Sequence, residues 1–363
     1  MTALFEEIRH SPLLWLLVLV PVVIVAHLVA PTAHTMLFVL SVAAIVPLAA
    51  MLSLATEAVA SRTGDMVGGL LNATLGNLTE LLIALAALRA GEYVLVKASI
   101  VGAIVTNSLF MLGASFLIGG FRYHVQEYNR STARLQGGLL FLATIAMLVP
   151  SVLVDAGGAK NSEFTHTLSL WLSILLIVTY ALGLIFSLGT HRELFASESH
   201  GEAGEKQWPI SLALGTLAVV TVLVALVSEI FVESVQHAAT TLGITPAFVG
   251  VIIVALVGGA AEMVSAFAAA RNNKLDLSVG IALGSAVQIA LFVAPVLVLC
   301  SYVMGPSPMD LQFWPGAVTM MLIACITASL VTNAGRSAWF IGALIVTVYV
   351  IFAMTLYLLP PRT

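Results

Sequence analysis

The chain has 363 residues, of which 60% are hydrophobic and only 9% are charged, and its mean hydropathy is +1.08. A soluble domain carries about 25% charged residues, so this composition excludes a soluble fold and predicts a polytopic membrane protein. The net charge of −4 and the lack of a basic block exclude a nucleic-acid partner. Cys300 and Cys325 both lie in apolar runs and are expected to be packed, unreactive thiols.

Turn residues and charged clusters divide the chain into eleven stretches that approach the roughly 20 apolar residues needed to cross a bilayer. In chain order the predicted spans are 12–30, 34–60, 67–90, 94–119, 134–155, 166–188, 209–236, 245–270, 277–304, 312–330 and 336–358. The predicted fold class is therefore an all-α polytopic membrane protein with 11 transmembrane helices. Segment 1–33 is predicted to be an extra, retained N-terminal helix rather than a signal peptide.

The distribution of Lys and Arg predicts the orientation of these spans. Ten of the fourteen basic residues fall on the side that carries the N-terminus, and the cytoplasmic side of a membrane protein carries the excess of positive charge. This places the N-terminus and the polar loop 189–208 in the cytoplasm and the C-terminus outside it. The expected location is the inner membrane of a prokaryotic cell.

A stretch around Glu80 recurs 182 positions later around Glu262. Aligned without gaps, 76–110 and 258–292 share eleven identities in thirty-five positions, including a Gly, the Glu and an Arg. This similarity predicts two five-helix repeats after the extra helix, and because five is an odd number the second repeat is inverted in the membrane. The predicted repeats cover residues 34–188 and 209–363.

Glu80 and Glu262 lie near the middle of their apolar spans, where an ionised carboxylate needs a partner, a proton or a cation. One turn before each of them stands a glycine, Gly76 or Gly258, which weakens a helix by about 1 kcal/mol relative to Ala. We therefore expect both helices to be interrupted there, so that free backbone carbonyls join the carboxylates as oxygen ligands. The alternative is that these glycines only permit close helix packing.

Further polar side chains lie at helical spacing around the glutamates. They are Asn72, Asn77 and Asn107 in the first half and Ser285 and Gln288 in the second. Carboxamides and hydroxyls can bond to a carboxylate or offer an oxygen to a cation, so we expect them to support the site. The alternative is that they only hydrogen-bond neighbouring helices together.

Glu57 and Glu229 occur toward the end of the first span of each half. They are candidates for lining a proton or cation route, together with Asn72. The alternative is that they extend to the membrane surface from the ends of their helices.

At these residues the chain resembles the cation/proton exchanger family of the calcium/cation antiporter superfamily. The matching residues are 68–74 (Gly-Gly-Leu-Leu-Asn-Ala-Thr), Gly76-Asn77, Glu80-Leu81, Asn107, Gln126 and Asn129 in the first half, and Gly258, Ala260-Ala261-Glu262, Lys274, Asp276-Leu277, Gly284-Ser285 and Gln288-Ile289 in the second. Weaker matches are Gly335, Ser337, Trp339 and Gly342. The resemblance covers nearly the whole chain after the first span.

The resemblance implies Ca²⁺ transport driven by protons moving the other way, with Ca²⁺ and H⁺ as transported ions, the lipid bilayer as surroundings and no cofactor. The chemistry of the residues agrees, because Ca²⁺ takes oxygen ligands and two glutamates carry the charge that one Ca²⁺ or two protons would neutralise. The chain departs from the family at Gly259, where members usually have Asn, and at Met263, where eukaryotic members have His. We expect Gly259 to leave space for a water molecule.

Other functions fit the sequence less well. A Na⁺-coupled exchanger of the same superfamily, or one for a broader range of divalent cations such as Mn²⁺, is the nearest alternative, since oxygen ligands discriminate weakly between such metals. A cation channel would differ from an antiporter in passing ions without counter-transport. A membrane-embedded enzyme is disfavoured because the sequence has neither a His-Glu-x-x-His motif nor a Gly-x-Ser-x-Gly elbow.

Overall fold

The computed structural model describes residues 7–9, 11–157, 162–191 and 208–358. Within these ranges it contains nine uninterrupted helices that are long and apolar enough to cross a membrane and two bent helix pairs, which make eleven spans. They are α1 (Pro12–Val29), α2 (His34–Ala60), α3a (Asp65–Leu75), α3b (Leu78–Arg89), α4 (Tyr93–Tyr123), α5 (Arg130–Gly157), α6 (Glu163–Thr190), α7 (Ile210–Leu242), α8a (Pro246–Gly258), α8b (Ala260–Arg271), α9 (Leu275–Met304), α10 (Pro315–Thr332) and α11 (Trp339–Leu358). The predicted fold class is confirmed. Most of the predicted loop 189–208 lies outside the described residues.

The two bent pairs occupy equivalent places in the two halves. The axis turns by 41° between α3a and α3b and by 59° between α8a and α8b. The first break lies at Gly76-Asn77 and the second at Gly259, which are related by the same 182-residue offset as the glutamates. The predicted interruptions next to Gly76 and Gly258 are therefore present.

A second matched irregularity follows in α4 and α9. Thr106–Met111 in α4 and Ile289–Val293 in α9 are single π-helical turns, and shifting the first by 182 residues gives 288–293. Such turns widen a helix locally and often occur at functional sites. Their recurrence shows that the two halves share backbone geometry as well as sequence.

The spans differ in how deeply they are buried. In their most apolar windows 83% of α4 and 72% of α9 are buried, against 17% of α1 and 28% of α11. The centre of the molecule is therefore built from α4 and α9, with the bent helices α3 and α8 packed against them. The outer helices present apolar side chains such as Trp15, Leu28 and Leu358, which suit contact with lipid.

One short β-ribbon defines a face of the molecule. Strand β1 (Val125–Glu127), after α4, pairs antiparallel with β2 (Arg336–Ala338), before α11. The prediction of helix from residue 336 is wrong for these three residues, because their backbone groups bond across the ribbon. We call the side of the membrane that carries this ribbon the ribbon face, and the other side the opposite face.

Side chains tie the two halves together on the ribbon face. The Gln126 amide donates to the carbonyl of Ala270 at 2.9 Å and to Asn273 Oδ1 at 3.0 Å. The backbone N–H of Asn129 donates to Asp276 Oδ1 at 2.8 Å. The loop after α4 is thus bonded to the segment that joins α8b to α9. Gln126 and Asn129 therefore have a structural role in holding the two halves together.

Candidate functional site

Glu80 and Glu262 occupy matching positions just after the two helix breaks. Each is the third residue of its half-helix, Glu80 in α3b and Glu262 in α8b. The N-terminal turn of a helix carries partial positive charge, because its first N–H groups have no partner within the helix. Each break therefore places a carboxylate where the backbone favours negative charge.

The structure brings the two carboxylates together across the boundary between the halves. A Cβ added at Gly258 would lie 3.0 Å from Glu80 Cγ and 3.3 Å from its Oε1. Glu80 from the first half thus packs directly on Gly258, four residues before Glu262 of the second half. A side chain at position 258 would force Glu80 to shift by a few tenths of an ångström.

The supporting amides form one connected network. Asn77 donates through its amide nitrogen to Gln288 Oε1, and its Oδ1 accepts from the Ser285 hydroxyl at 2.7 Å. That hydroxyl also accepts from Asn107 Nδ2 at 2.8 Å. Four of the predicted supporting residues therefore meet. The two bonds of Asn77 link α3 to α9, and the bond between Asn107 and Ser285 links α4 to α9.

Two acceptor oxygens in this region have no hydrogen-bond partner among the described residues. They are Glu262 Oε2 and Asn107 Oδ1, and both are buried. Buried acceptors are nearly always paired in proteins, so a free oxygen of the Glu262 carboxylate together with a free carboxamide oxygen has the chemistry of a site for a cation or a proton. Asn107 is only 1% exposed, so bulk water does not satisfy it.

The break glycines have distinct neighbours. A Cβ at Gly76 would meet the carbonyl of Asn72 at 2.7 Å and Gln288 Oε1 at 3.4 Å. At Gly259 a Cβ would meet Ala255 O at 3.2 Å, Met263 Cε at 3.4 Å and Asn107 Oδ1 at 3.5 Å. These distances leave room for one atom beside Gly259, bounded by Met263 and Asn107, and the water expected there stays a prediction.

The remaining predicted residues lie away from the carboxylates. The side chain of Asn72 is exposed, while its carbonyl accepts from Gln288 Nε2 at 3.3 Å. Glu229 is paired with Arg89 at the opposite face, with 3.1 Å between Nη1 and Oε1. Glu57 is exposed near the end of α2 toward the ribbon face.

One residue at the site was not predicted from the sequence. The hydroxyl of Tyr180, in α6, donates to the carbonyl of Ala73 at 2.6 Å, directly before the break of α3. The same carbonyl accepts from Gln288 Nε2. A tyrosine within an apolar span carries no pattern that distinguishes it from a packed aromatic residue, so only the fold reveals this contact.

Two inverted five-helix halves that meet at paired carboxylates beside broken helices define the class of the protein, an inverted-repeat secondary transporter. More specifically, the chain belongs to the sodium/calcium exchanger protein family, whose model matches residues 33–189 and 212–358.

Several proteins resemble the chain over most of its length. It is 39% identical over 338 residues to a Ca(2+)/H(+) antiporter from Aphanothece halophytica, covering 89% of this chain and 90% of the relative. It is 33% identical over 347 residues to vacuolar cation/proton exchanger 2 from Oryza sativa subsp. japonica, covering 93% and 79%. The solved structure of native YfkE matches with a TM-score of 0.82 and 36% identity, covering 95% of this chain and 99% of that chain. The resemblance to cation/proton exchangers is thus confirmed, and these relatives are transporters rather than enzymes.

Proposed function

We propose that the protein is a secondary active Ca²⁺/H⁺ antiporter that binds its ions at Glu80 and Glu262. The observation that carries this proposal is the convergence of two carboxylates, one from each half, beside the unpaired oxygens of Glu262 and Asn107. The Ca(2+)/H(+) antiporter relative at 39% identity supports the choice of ions.

The charges of the site account for exchange. Two ionised glutamates balance the charge of one Ca²⁺, and two protons neutralise the same carboxylates. Because metal ligands must be deprotonated, the two loads compete for the same oxygens. Carboxylate, carboxamide and hydroxyl oxygens are ligands that suit Ca²⁺.

The supporting residues have separate roles in this proposal. Asn107 offers Oδ1 to the ion, while Ser285, Asn77 and Gln288 hold it and the breaks in position. Gly76 and Gly258 let the broken helices approach the polar side chains of the other half. Glu57, Glu229 and Asn72 line the routes along which ions reach or leave the centre.

The organisation of the chain is part of the proposal. Helix 1–33 stands apart, 34–188 and 209–363 form the two repeats, and the connection 189–208 is cytoplasmic. Support comes from the two separate family matches and from the excess of Lys and Arg on the N-terminal side. We further propose that the N-terminus is cytoplasmic, the C-terminus is outside, and the protein resides in a prokaryotic inner membrane.

The proposed function is tested by flux in proteoliposomes. Purified protein should take up radioactive Ca²⁺ only when protons move in the opposite direction, and collapsing the pH gradient should stop net uptake. A Na⁺ gradient without a pH gradient should drive no uptake. Ca²⁺ flux that persists with no counter-ion gradient would instead identify a channel, and Na⁺-driven flux would identify a sodium-coupled exchanger.

A further inference from the structure

Tyr180 is the only buried hydroxyl-bearing aromatic residue that reaches the break of α3 among the described residues. Its side chain is 8% exposed, although only 22% of the apolar window of α6 is buried. Its ring stacks on Phe292 of α9, with 5.6 Å between the ring centroids. The stacking fixes the ring, and therefore aims the hydroxyl at Ala73.

The carbonyl of Ala73 is an acceptor that the break sets free. In an uninterrupted helix it would accept from the N–H of Asn77, but α3a ends at Leu75 and Asn77 begins the next helix. Tyr180 Oη and Gln288 Nε2 both donate to this oxygen instead. A carbonyl oxygen has two lone pairs, so these two donors occupy it fully.

The Tyr180 hydroxyl and the Gln288 amide come from different helices, α6 and α9, and they meet on a third, α3a. The carbonyl lies in the same network as the ion site, because Gln288 also accepts from Asn77 and Asn77 bonds to Ser285. The hydrogen bonding of the Ala73 carbonyl is therefore linked to Asn107 through the side chains of Gln288, Asn77 and Ser285.

We infer that Tyr180 is a positioning residue of the transport site, whose hydroxyl keeps the Ala73 carbonyl occupied until an ion draws that oxygen away. This inference rests on the proposed function. An ion that uses the Ala73 oxygen must displace one of its two donors, so the hydroxyl bond opposes ion binding. The hydroxyl thereby weakens the apparent affinity for Ca²⁺ and favours release.

Tyr180→Phe tests the inference, because it removes the hydroxyl and keeps the ring that packs on Phe292. In proteoliposomes its KM for Ca²⁺ should fall about three- to tenfold, the loss expected for one net hydrogen bond, while kcat does not rise. In detergent, a given Ca²⁺ concentration should raise the melting temperature of this variant more than that of the wild type.

Tyr302→Phe is the matched control. Tyr302 of α9 donates through its hydroxyl to the carbonyl of His166 in α6 at 3.3 Å, so it also joins a tyrosine hydroxyl to a backbone oxygen, but near the opposite face. Its removal should leave KM within twofold of the wild type.

The inference is overturned if Tyr180→Phe has an unchanged or increased KM, or the same KM as Tyr302→Phe. It is also overturned if Tyr180→Phe no longer folds, because the hydroxyl would then serve stability rather than ion binding. Failure of the proposed function would look different, since the wild-type protein itself would then show no proton-driven Ca²⁺ uptake.

Discussion

At the scale of single residues, the two glutamates are not interchangeable with neutral side chains of the same shape. Replacing Glu80 or Glu262 by Gln leaves one negative charge to face a divalent ion. We expect each single variant to lose Ca²⁺/H⁺ exchange almost completely in vesicles, with uptake of radioactive Ca²⁺ as the measurement. Glu163→Gln, an exposed carboxylate in the first turn of α6, is the control and should transport normally. Near-normal exchange in both Glu80→Gln and Glu262→Gln would remove these residues from the site.

Asn77 and Gly259 occupy equivalent positions at the two helix breaks. Giving each position the residue of the other should affect transport to different extents. Asn77→Gly cuts the bonds to Gln288 and Ser285 at once. It leaves the buried Ser285 O–H without its acceptor, at a cost of about 1 to 3 kcal/mol, and the half-buried Gln288 Oε1 without its donor. Gly259→Asn removes no hydrogen bond, and its Cβ would be 3.2 Å from the Ala255 carbonyl and in ordinary contact with Met263 Cε at 3.4 Å. We therefore expect Asn77→Gly to damage transport far more than Gly259→Asn, measured as initial rates of proton-driven Ca²⁺ uptake. A harmless Asn77→Gly with an inactive Gly259→Asn would reverse this order.

The sequence alone singles out the polar residues of the candidate site that are costly to bury in a membrane span. Glu80, Asn107, Ser285 and Gln288 stand out because polar groups are rare in apolar spans and need partners. It could not predict which partners they find. Asn77, one of the polar residues expected to support the site, bonds to Gln288 and Ser285 of α9, and these partners are more than 200 residues away in the chain.

At the scale of helices, close packing around α4 depends on a glycine. A Cβ at Gly102 would lie 2.7 Å from the backbone carbonyl carbon of Val251 in α8a, so backbone meets backbone there. We expect Gly102→Ala to destabilise the protein by about 1 to 3 kcal/mol through overpacking, seen as a lower melting temperature in detergent.

The control for this substitution is Gly280→Ala in α9, where a Cβ would have no atom within 4 Å. It gains the helix preference of Ala, about 1 kcal/mol, and should keep or raise the melting temperature. Equal melting temperatures for Gly102→Ala and Gly280→Ala would show that α4 and α8a can separate without cost.

The number of helices and the correspondence between the two halves could be predicted from the sequence, because apolar length and the 182-residue repeat are strong signals. The π-helical turns and the β-ribbon did not. A π turn differs from an α-helix by one residue per turn over a single turn, and strands of three residues are held by a partner far away in the chain. Neither leaves a periodic pattern in its own segment.

At the scale of the whole molecule, the two halves are related in sequence but not equally enclosed. In α8a, which runs from the opposite face to its break, Val249 and Val251 are fully buried and Val254 is 3% exposed. In α3a, which runs from the ribbon face to its break, Val67 is 51% and Leu70 is 47% exposed. The half-helix α8a is therefore enclosed by other helices, whereas α3a is exposed along part of its surface.

This asymmetry gives a test of both access and orientation. Asn72 in α3a and Val254 in α8a are equivalent under the 182-residue offset, and the first is exposed whereas the second is buried. In a background without Cys300 and Cys325, Asn72→Cys should react quickly with a membrane-impermeant maleimide and Val254→Cys slowly. Because α3a begins at the ribbon face, and the proposed topology places that face in the cytoplasm, labelling of Asn72→Cys should occur in inside-out vesicles but not in intact cells. Fast labelling in intact cells would invert the topology, and fast labelling of Val254→Cys would show that the path along α8a is open.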